Sequence, residues 1–132
     1  KRVIITGGEP LMHSLDELTH GLRNQYIKVH LETSGVHALS GMWDWITFSP
    51  KKFKKPTDEI FQKANEMKVI VFHPSDIQWA EELSKKLSPS CNLLLQPEWE
   101  RSEEMLPLIM NHITENPQWR LSLQTHKFIG VQ

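Results

Sequence analysis

Five polar runs carry residue types that could do chemistry, and each follows a short strand-like run. Thr6-Gly7-Gly8-Glu9 comes after Val3-Ile4-Ile5, and Glu32-Thr33-Ser34-Gly35 after Lys28 to Leu31. Ser49-Pro50-Lys51 follows Trp45 to Phe48, Gln96-Pro97-Glu98 follows Leu93-Leu94-Leu95, and Gln124-Thr125-His126 follows Leu121 to Leu123. Two glycines after a strand let the backbone turn tightly and let a ligand approach its amides and carbonyls. Glu9 adds a carboxylate suited to an ammonium group, and Pro10 stiffens the exit. A Gly-Gly pair alone is more often an ordinary turn. The whole run Thr6-Gly7-Gly8-Glu9-Pro10-Leu11, placed directly after β-branched residues, is far more specific.

The elements that must position these runs alternate. Strands are expected at Val3-Ile4-Ile5, Lys28 to Leu31, Trp45 to Phe48, Lys68 to Phe72, Leu93 to Leu95 and Leu121 to Leu123. Between them, helix-period stretches run from Ser14 to Asn24, Thr57 to Glu66, Ser75 to Leu87 and Ser102 to Asn116. The first has Ser14 at the N-cap and Glu17 at the capping-box position, with Leu15, Leu18 and Leu22 at helical spacing. Such alternation implies βαβ units, right-handed crossovers and a parallel sheet. In parallel sheets and barrels, ligands sit at the carboxyl ends of the strands, which is where the five polar runs fall.

With 132 residues, 39% hydrophobic and 23% charged, the chain is one domain's worth of ordinary globular protein. A net charge of -1 provides no basic field for nucleic acid or a membrane surface. No apolar run, Val69-Ile70-Val71-Phe72 included, is long enough to span a bilayer. The single cysteine, Cys91, cannot make an internal disulfide or a thiolate metal site; it reads as a small buried thiol, and the cytoplasm as the compartment. The chain enters a strand-like run directly after Lys1-Arg2, and that run is as apolar as an interior strand, so an amino-terminal βα unit is expected to be missing.

Thr6-Gly7-Gly8-Glu9-Pro10-Leu11 resembles the motif with which radical S-adenosylmethionine (SAM) enzymes grip the methionine amino group. Leu31-Glu32-Thr33-Ser34-Gly35, Trp43-Asp44-Trp45, Ser49-Pro50-Lys51-Lys52, Leu95-Gln96-Pro97-Glu98-Trp99 and Leu123-Gln124-Thr125-His126-Lys127 extend the likeness in order along the chain. Together they resemble the 7-carboxy-7-deazaguanine synthase family, over essentially all 132 residues. The resemblance implies an α/β fold: a partial (βα) barrel with a parallel sheet, here a single domain over residues 1–132 without the first βα unit. It implies a carbon–nitrogen lyase that converts 6-carboxy-5,6,7,8-tetrahydropterin to 7-carboxy-7-deazaguanine and ammonia, toward queuosine. SAM, a [4Fe-4S] cluster and Mg2+ are the implied cofactors. An electron donor for the cluster and a second copy of the chain, as a homodimer, are the implied partners.

Carried over residue by residue, Gly7, Gly8 and Glu9 would hold the SAM amino group. Glu32 and Ser34 would reach the ribose hydroxyls, since a carboxylate can accept both bonds of a diol. Ser49 and Lys51 would lie near the SAM carboxylate, and Gln96 near the adenosine. Thr6 and His126 would meet the pterin, whose edge of donors and acceptors suits a hydroxyl and an imidazole. Only Lys127 to Gln132 follow His126, and this tail is expected to close over the substrate.

The family's clustered cysteines are absent from these 132 residues, so no catalytic residue and no metal ligand is assigned. Iron–sulfur ligation requires several thiolates, so this chain by itself is expected to be inactive. Two other readings are carried. An activating enzyme for a glycyl-radical partner would share Gly-Gly-Glu but not the Leu-Gln-Thr-His-Lys ending. A non-catalytic SAM-binding module would need none of the cysteines.

Overall fold

The structure, a computed structural model, describes residues 1–130. Val131 and Gln132, the end of the tail expected to close over substrate, lie outside the described residues. The chain forms two compact units: Lys1–Met67 with Leu87–Cys91, and Lys68–Lys86 with the chain from Asn92 onward.

In the first unit, β1 (Arg2–Ile5), β2 (Lys28–Thr33), β3 (Trp45–Phe48) and the start of β4 (Glu66–Val71) lie side by side in chain order. Every pairing is parallel: Ile5 lies opposite Leu31, Leu31 opposite Ile46, and Phe48 opposite Met67. Alternation on β2 sorts its side chains, so that Val29, Leu31 and Thr33 are buried while Lys28, His30 and Glu32 are not. The buried face meets α1 (Asp16–Asn24) and α2 (Asp58–Lys63). Its core holds Val29, Leu31, Ile46, Phe48, Ile60, Phe61 and Met67, with Phe48 and Phe61 edge to face at 5.4 Å.

Three helix boundaries depart from expectation by two residues or more; one is the helix expected from Ser75 to Leu87, which ends at Ser84. Helix α1 begins at Asp16, with Leu15 at the N-cap. The Ser14 hydroxyl turns instead to Asp16 (2.9 Å), and the Leu15 N–H goes to Ser40 Oγ (3.1 Å). The most buried point of that helix is Thr19, whereas Leu18 is half exposed. The Thr19 hydroxyl donates to the Leu15 carbonyl (2.8 Å) and accepts the Met42 N–H (3.0 Å), so its polar group is satisfied inside. Helix α2 stops at Lys63 because Asn65 docks on β3: its amide oxygen accepts the Ile46 N–H (2.8 Å) and its own N–H donates to the Ile46 carbonyl (3.0 Å). Glu66 is thereby the first residue of a strand, not the last of a helix.

Cys91 is buried in this unit. Burial, aided by the charge of Glu66, pushes its thiol up to about 11. A neutral thiol is a poor nucleophile. Ellman's reagent at pH 8 is therefore expected to leave the folded protein unlabelled and to release one equivalent of chromophore only after denaturation. Rapid labelling of the native protein would contradict this burial.

In the second unit, the remainder of β4, then β5 (Asn92–Pro97) and β6 (Trp119–Leu121), lie in chain order with α3 (Ser75–Ser84) and α4 (Ser102–Glu115). Strand β6 is parallel to β5, with Leu93 opposite Trp119 and Leu95 opposite Leu121. It starts two residues earlier than expected because the Trp119 side chain is core, with only 1% of its surface exposed. Its indole N–H donates to Glu81 Oε1 (2.7 Å), and the same oxygen meets His112 Nε2 (2.8 Å). One carboxylate thus ties α3 to α4 and β6. The residues after β6 form a short helix, α5 (Thr125–Phe128). Both units show the α/β class with parallel strands that the alternating runs led us to expect. Among the described residues, no helix is long and apolar enough to cross a membrane.

Candidate functional site

The turn after β1 places Gly7 at φ +86° and Gly8 at φ +50°. Both values lie in the left-handed region that only glycine enters freely. A Cβ built at either position meets nothing within 4 Å. These glycines are therefore required by backbone conformation and not by packing, and the space beside them is open to a ligand.

Glu9, directly after the turn, reaches across to the end of β2. Its Oε1 accepts the Thr33 hydroxyl (2.5 Å) and the Leu11 N–H (3.3 Å). Its Oε2 accepts the Ser34 N–H (2.8 Å) and, at short range, the Ser34 hydroxyl. Partial burial alone would raise the carboxyl's pKa. The hydrogen bonds from Ser34, Thr33 and Leu11 outweigh it and hold Glu9 below its ordinary value of 4.5. Thr33, in turn, accepts the Gly35 N–H (3.0 Å).

Beside this cluster, the Thr6 hydroxyl donates to Glu32 Oε2 (3.3 Å). Ser49 is anchored by its N–H on the Thr33 carbonyl (2.8 Å), which sets the end of β3 beside the end of β2. Of the residues expected to act together, Thr6, Glu9, Glu32 and Ser34 are joined in pairs by hydrogen bonds, with Gly7 and Gly8 in the same turn. Lys51 is exposed, in a turn closed by the Lys54 N–H on the Lys51 carbonyl (3.0 Å).

Two expected residues lie in the second unit. Gln96 is buried on β5 and accepts the Ser122 hydroxyl (3.0 Å). His126 is exposed on α5, where a strand end was expected. Thr33 was missed by the sequence reading. The available signal was its place on the buried parity of β2, after Val29 and Leu31, which sends its hydroxyl inward at a strand end.

A further group of polar side chains occupies the face of the first unit's strands away from the helices. Arg2, His30, Glu32, Trp45, Thr47 and Glu66 line a cavity of about 390 Å3. The His30 and Trp45 rings stack there at 6.2 Å, and the Thr47 hydroxyl donates to Glu66 (3.1 Å). Chemically, the first unit offers an open glycine turn, a hydroxyl–carboxylate pair and a fixed serine at adjacent strand ends. Those groups suit a ligand carrying an ammonium group and hydroxyls.

No protein-family profile matches the chain. Proteins of known name do. A 7-carboxy-7-deazaguanine synthase of Synechocystis sp. is 52% identical over 130 residues, which cover 98% of this chain and 62% of the relative. The synthase of Flavobacterium psychrophilum is 44% identical, over 99% of this chain and 62% of its own length. That of Prochlorococcus marinus is 38% identical, with 98% of this chain and 67% of the relative aligned. The chain belongs to the 7-carboxy-7-deazaguanine synthase family. The crystal structure of QueE from Escherichia coli superposes with a TM-score of 0.80 at 33% identity, over 93% of this chain and 56% of that one. The chain thus spans about three fifths of the length of the first two synthases.

Proposed function

We propose that this chain is the SAM- and substrate-binding part of a radical SAM 7-carboxy-7-deazaguanine synthase, which converts 6-carboxy-5,6,7,8-tetrahydropterin to 7-carboxy-7-deazaguanine with loss of ammonia. The observation that carries this reading is the exposed left-handed Gly7–Gly8 turn, locked through Glu9 to the end of β2 beside Glu32 and Ser34. Membership of the synthase family supports it.

The fit differs between cofactors. SAM suits the site: the open glycine turn can take its amino group, and the Glu32 and Ser34 oxygens its ribose hydroxyls. Ser49 and Lys51 are assigned to its carboxylate, Gln96 to its adenosine, and Thr6 and His126 to the pterin. When bound, SAM supplies the organic radical with which such chemistry begins; the chain's own task is to hold and orient. An iron–sulfur cluster does not suit these residues. They include one cysteine, buried and held protonated, where several thiolates are needed. Among the described residues, no three His, Cys, Asp or Glu side chains are grouped to hold a metal ion. With this reading go a cluster and Mg2+ held by other residues, an electron donor, a homodimer and a cytoplasmic setting.

The test has two arms. The 132-residue polypeptide, supplied anaerobically with iron, sulfide, SAM, a reductant and the pterin, is expected to release neither 5′-deoxyadenosine nor deazaguanine product. The whole reading frame that encodes it, treated identically, is expected to make 7-carboxy-7-deazaguanine. Product from the short polypeptide would overturn the assignment of the cluster elsewhere. SAM cleavage by the whole frame without this product would favour the activating-enzyme reading.

A further inference from the structure

His126 sits on α5, a helix of only four residues. So short a helix is marginal by itself. Its N-cap, Gln124, makes no side-chain bond to it, and the turn is closed by the Lys127 N–H on the Gln124 carbonyl (2.9 Å). The segment is tied to the end of β5 and the loop that follows it, at its entry and on the helix itself. At the entry, Ser122 donates its N–H to the Leu95 carbonyl (2.9 Å) and its hydroxyl to Gln96 Oε1 (3.0 Å). On the helix, Lys127 Nζ stands over the Trp99 ring, 5.2 Å from its centre. That is within the range where an ammonium is drawn to an aromatic face, and indole is the strongest such partner. All of these residues belong to the second unit.

Trp99 is the fixed partner of the two. The Glu98 N–H donates to the Val71 carbonyl at the end of β4 (2.9 Å). The Glu98 carboxylate accepts the Glu100 N–H (3.0 Å) and the Arg101 N–H (3.2 Å). The Arg101 guanidinium lies over the Phe72 ring at 5.0 Å. The loop that carries Trp99 is thus braced on both sides of it, whereas His126 and Lys127 are exposed on α5. Successive residues are set at fixed angles around a helix axis. Holding Lys127 on the indole therefore fixes the bearing of its neighbour His126.

We propose that Trp99, acting through Lys127, is a positioning residue for His126: the indole holds α5 in one rotational setting against the loop after β5. This inference rests on the reading that His126 meets the pterin.

The protein encoded by the whole reading frame is used for two measurements. The first needs no ligand. Protons held over an aromatic face resonate upfield, so the Lys127 ε-methylene signal is expected upfield of the other lysines, and at the ordinary position in Trp99→Leu. An ordinary position in the unaltered protein would overturn the proposal. The second is calorimetry without reductant, titrating SAM and, separately, 6-carboxypterin, the oxidised form of the assigned substrate. Trp99→Leu is expected to weaken the pterin about three- to tenfold and to leave SAM unchanged. Equal losses for both ligands, or none for the pterin, would overturn the proposal. Lys127→Arg should bind like the unaltered protein, because a guanidinium also stacks on an aromatic face. Lys127→Met should match Trp99→Leu, and it serves if Trp99→Leu fails to fold. Combining the two should cost nothing further, since they break one contact. A further loss would mean that Lys127 meets the ligand itself, which also overturns the proposal. His126→Ala separates the inference from the reading beneath it. If His126→Ala leaves pterin binding unchanged, or the unaltered protein binds no pterin, the reading fails and the proposal with it. If His126→Ala weakens the pterin and Trp99→Leu does not, the proposal alone fails.

Discussion

Gly35→Ala is expected to be among the most damaging single-methyl additions this protein can receive. Gly35 sits at φ +72°, and a Cβ there would stand 2.9 Å from Ile60 Cγ1, Ile60 Cγ2 and Phe48 Cε2. Neither neighbour can yield cheaply, because Phe48 and Ile60 are fully buried in the core of the first unit. Two costs add: about 1–2 kcal/mol for a left-handed alanine and about 1–3 kcal/mol for overpacking a close-packed core. A total of about 2–5 kcal/mol is a large share of a typical folding free energy of about 5–15 kcal/mol. Gly7→Ala and Gly8→Ala are the internal controls, since they incur the conformational cost alone. Denaturant melts of the three variants should rank Gly35→Ala well below the other two. Equal midpoints would show that packing at Gly35 is looser than these distances imply.

The second large effect is at Trp119. Trp119→Ala empties a site with 1% exposure, for which about 3–5 kcal/mol is the usual loss. It also removes the indole donor from Glu81 and the ring that meets His112 edge-on at 6.1 Å. Trp119→Phe separates the two contributions. Most of the apolar area returns, but Glu81 loses a bond for which about 0.5–3 kcal/mol is appropriate. Thermal unfolding is expected to order the proteins native, then Phe, then Ala, with the larger gap between Phe and Ala. A larger gap between native and Phe would mean that the Glu81 bond, and not packing, dominates at this position.

These two residues also show what a sequence can disclose. Trp45 to Phe48 was read to the residue as a strand, because a short apolar run between turn signals has few alternatives. Trp119 stands two residues ahead of the strand expected at Leu121 to Leu123, and what draws it into the strand, its contacts with Glu81 and His112, comes from other elements. The end of α2 was equally hidden: it depends on Asn65 meeting Ile46, a contact between residues far apart in sequence. At the site, the glycine turn and Glu9 were legible as a motif, because a strand followed by Thr-Gly-Gly-Glu has few structural outcomes. What Glu9 touches was not legible, since its partners come from the next strand end and only the fold brings them within reach.

The order of the strands has a consequence for how the first unit comes into being. Each strand pairs with the one made just before it: Arg2 meets Lys28, His30 meets Trp45, and Thr47 meets Glu66. Parallel sheets are ordinarily slow to assemble, because distant segments must find one another before any contact rewards them. Here the loops to be closed are short, and the entropy of closing a loop grows only slowly with its length. A chain can therefore zip its strands one after another, and the contacts between the glycine turn, Glu9 and the end of β2 need no residue of β3.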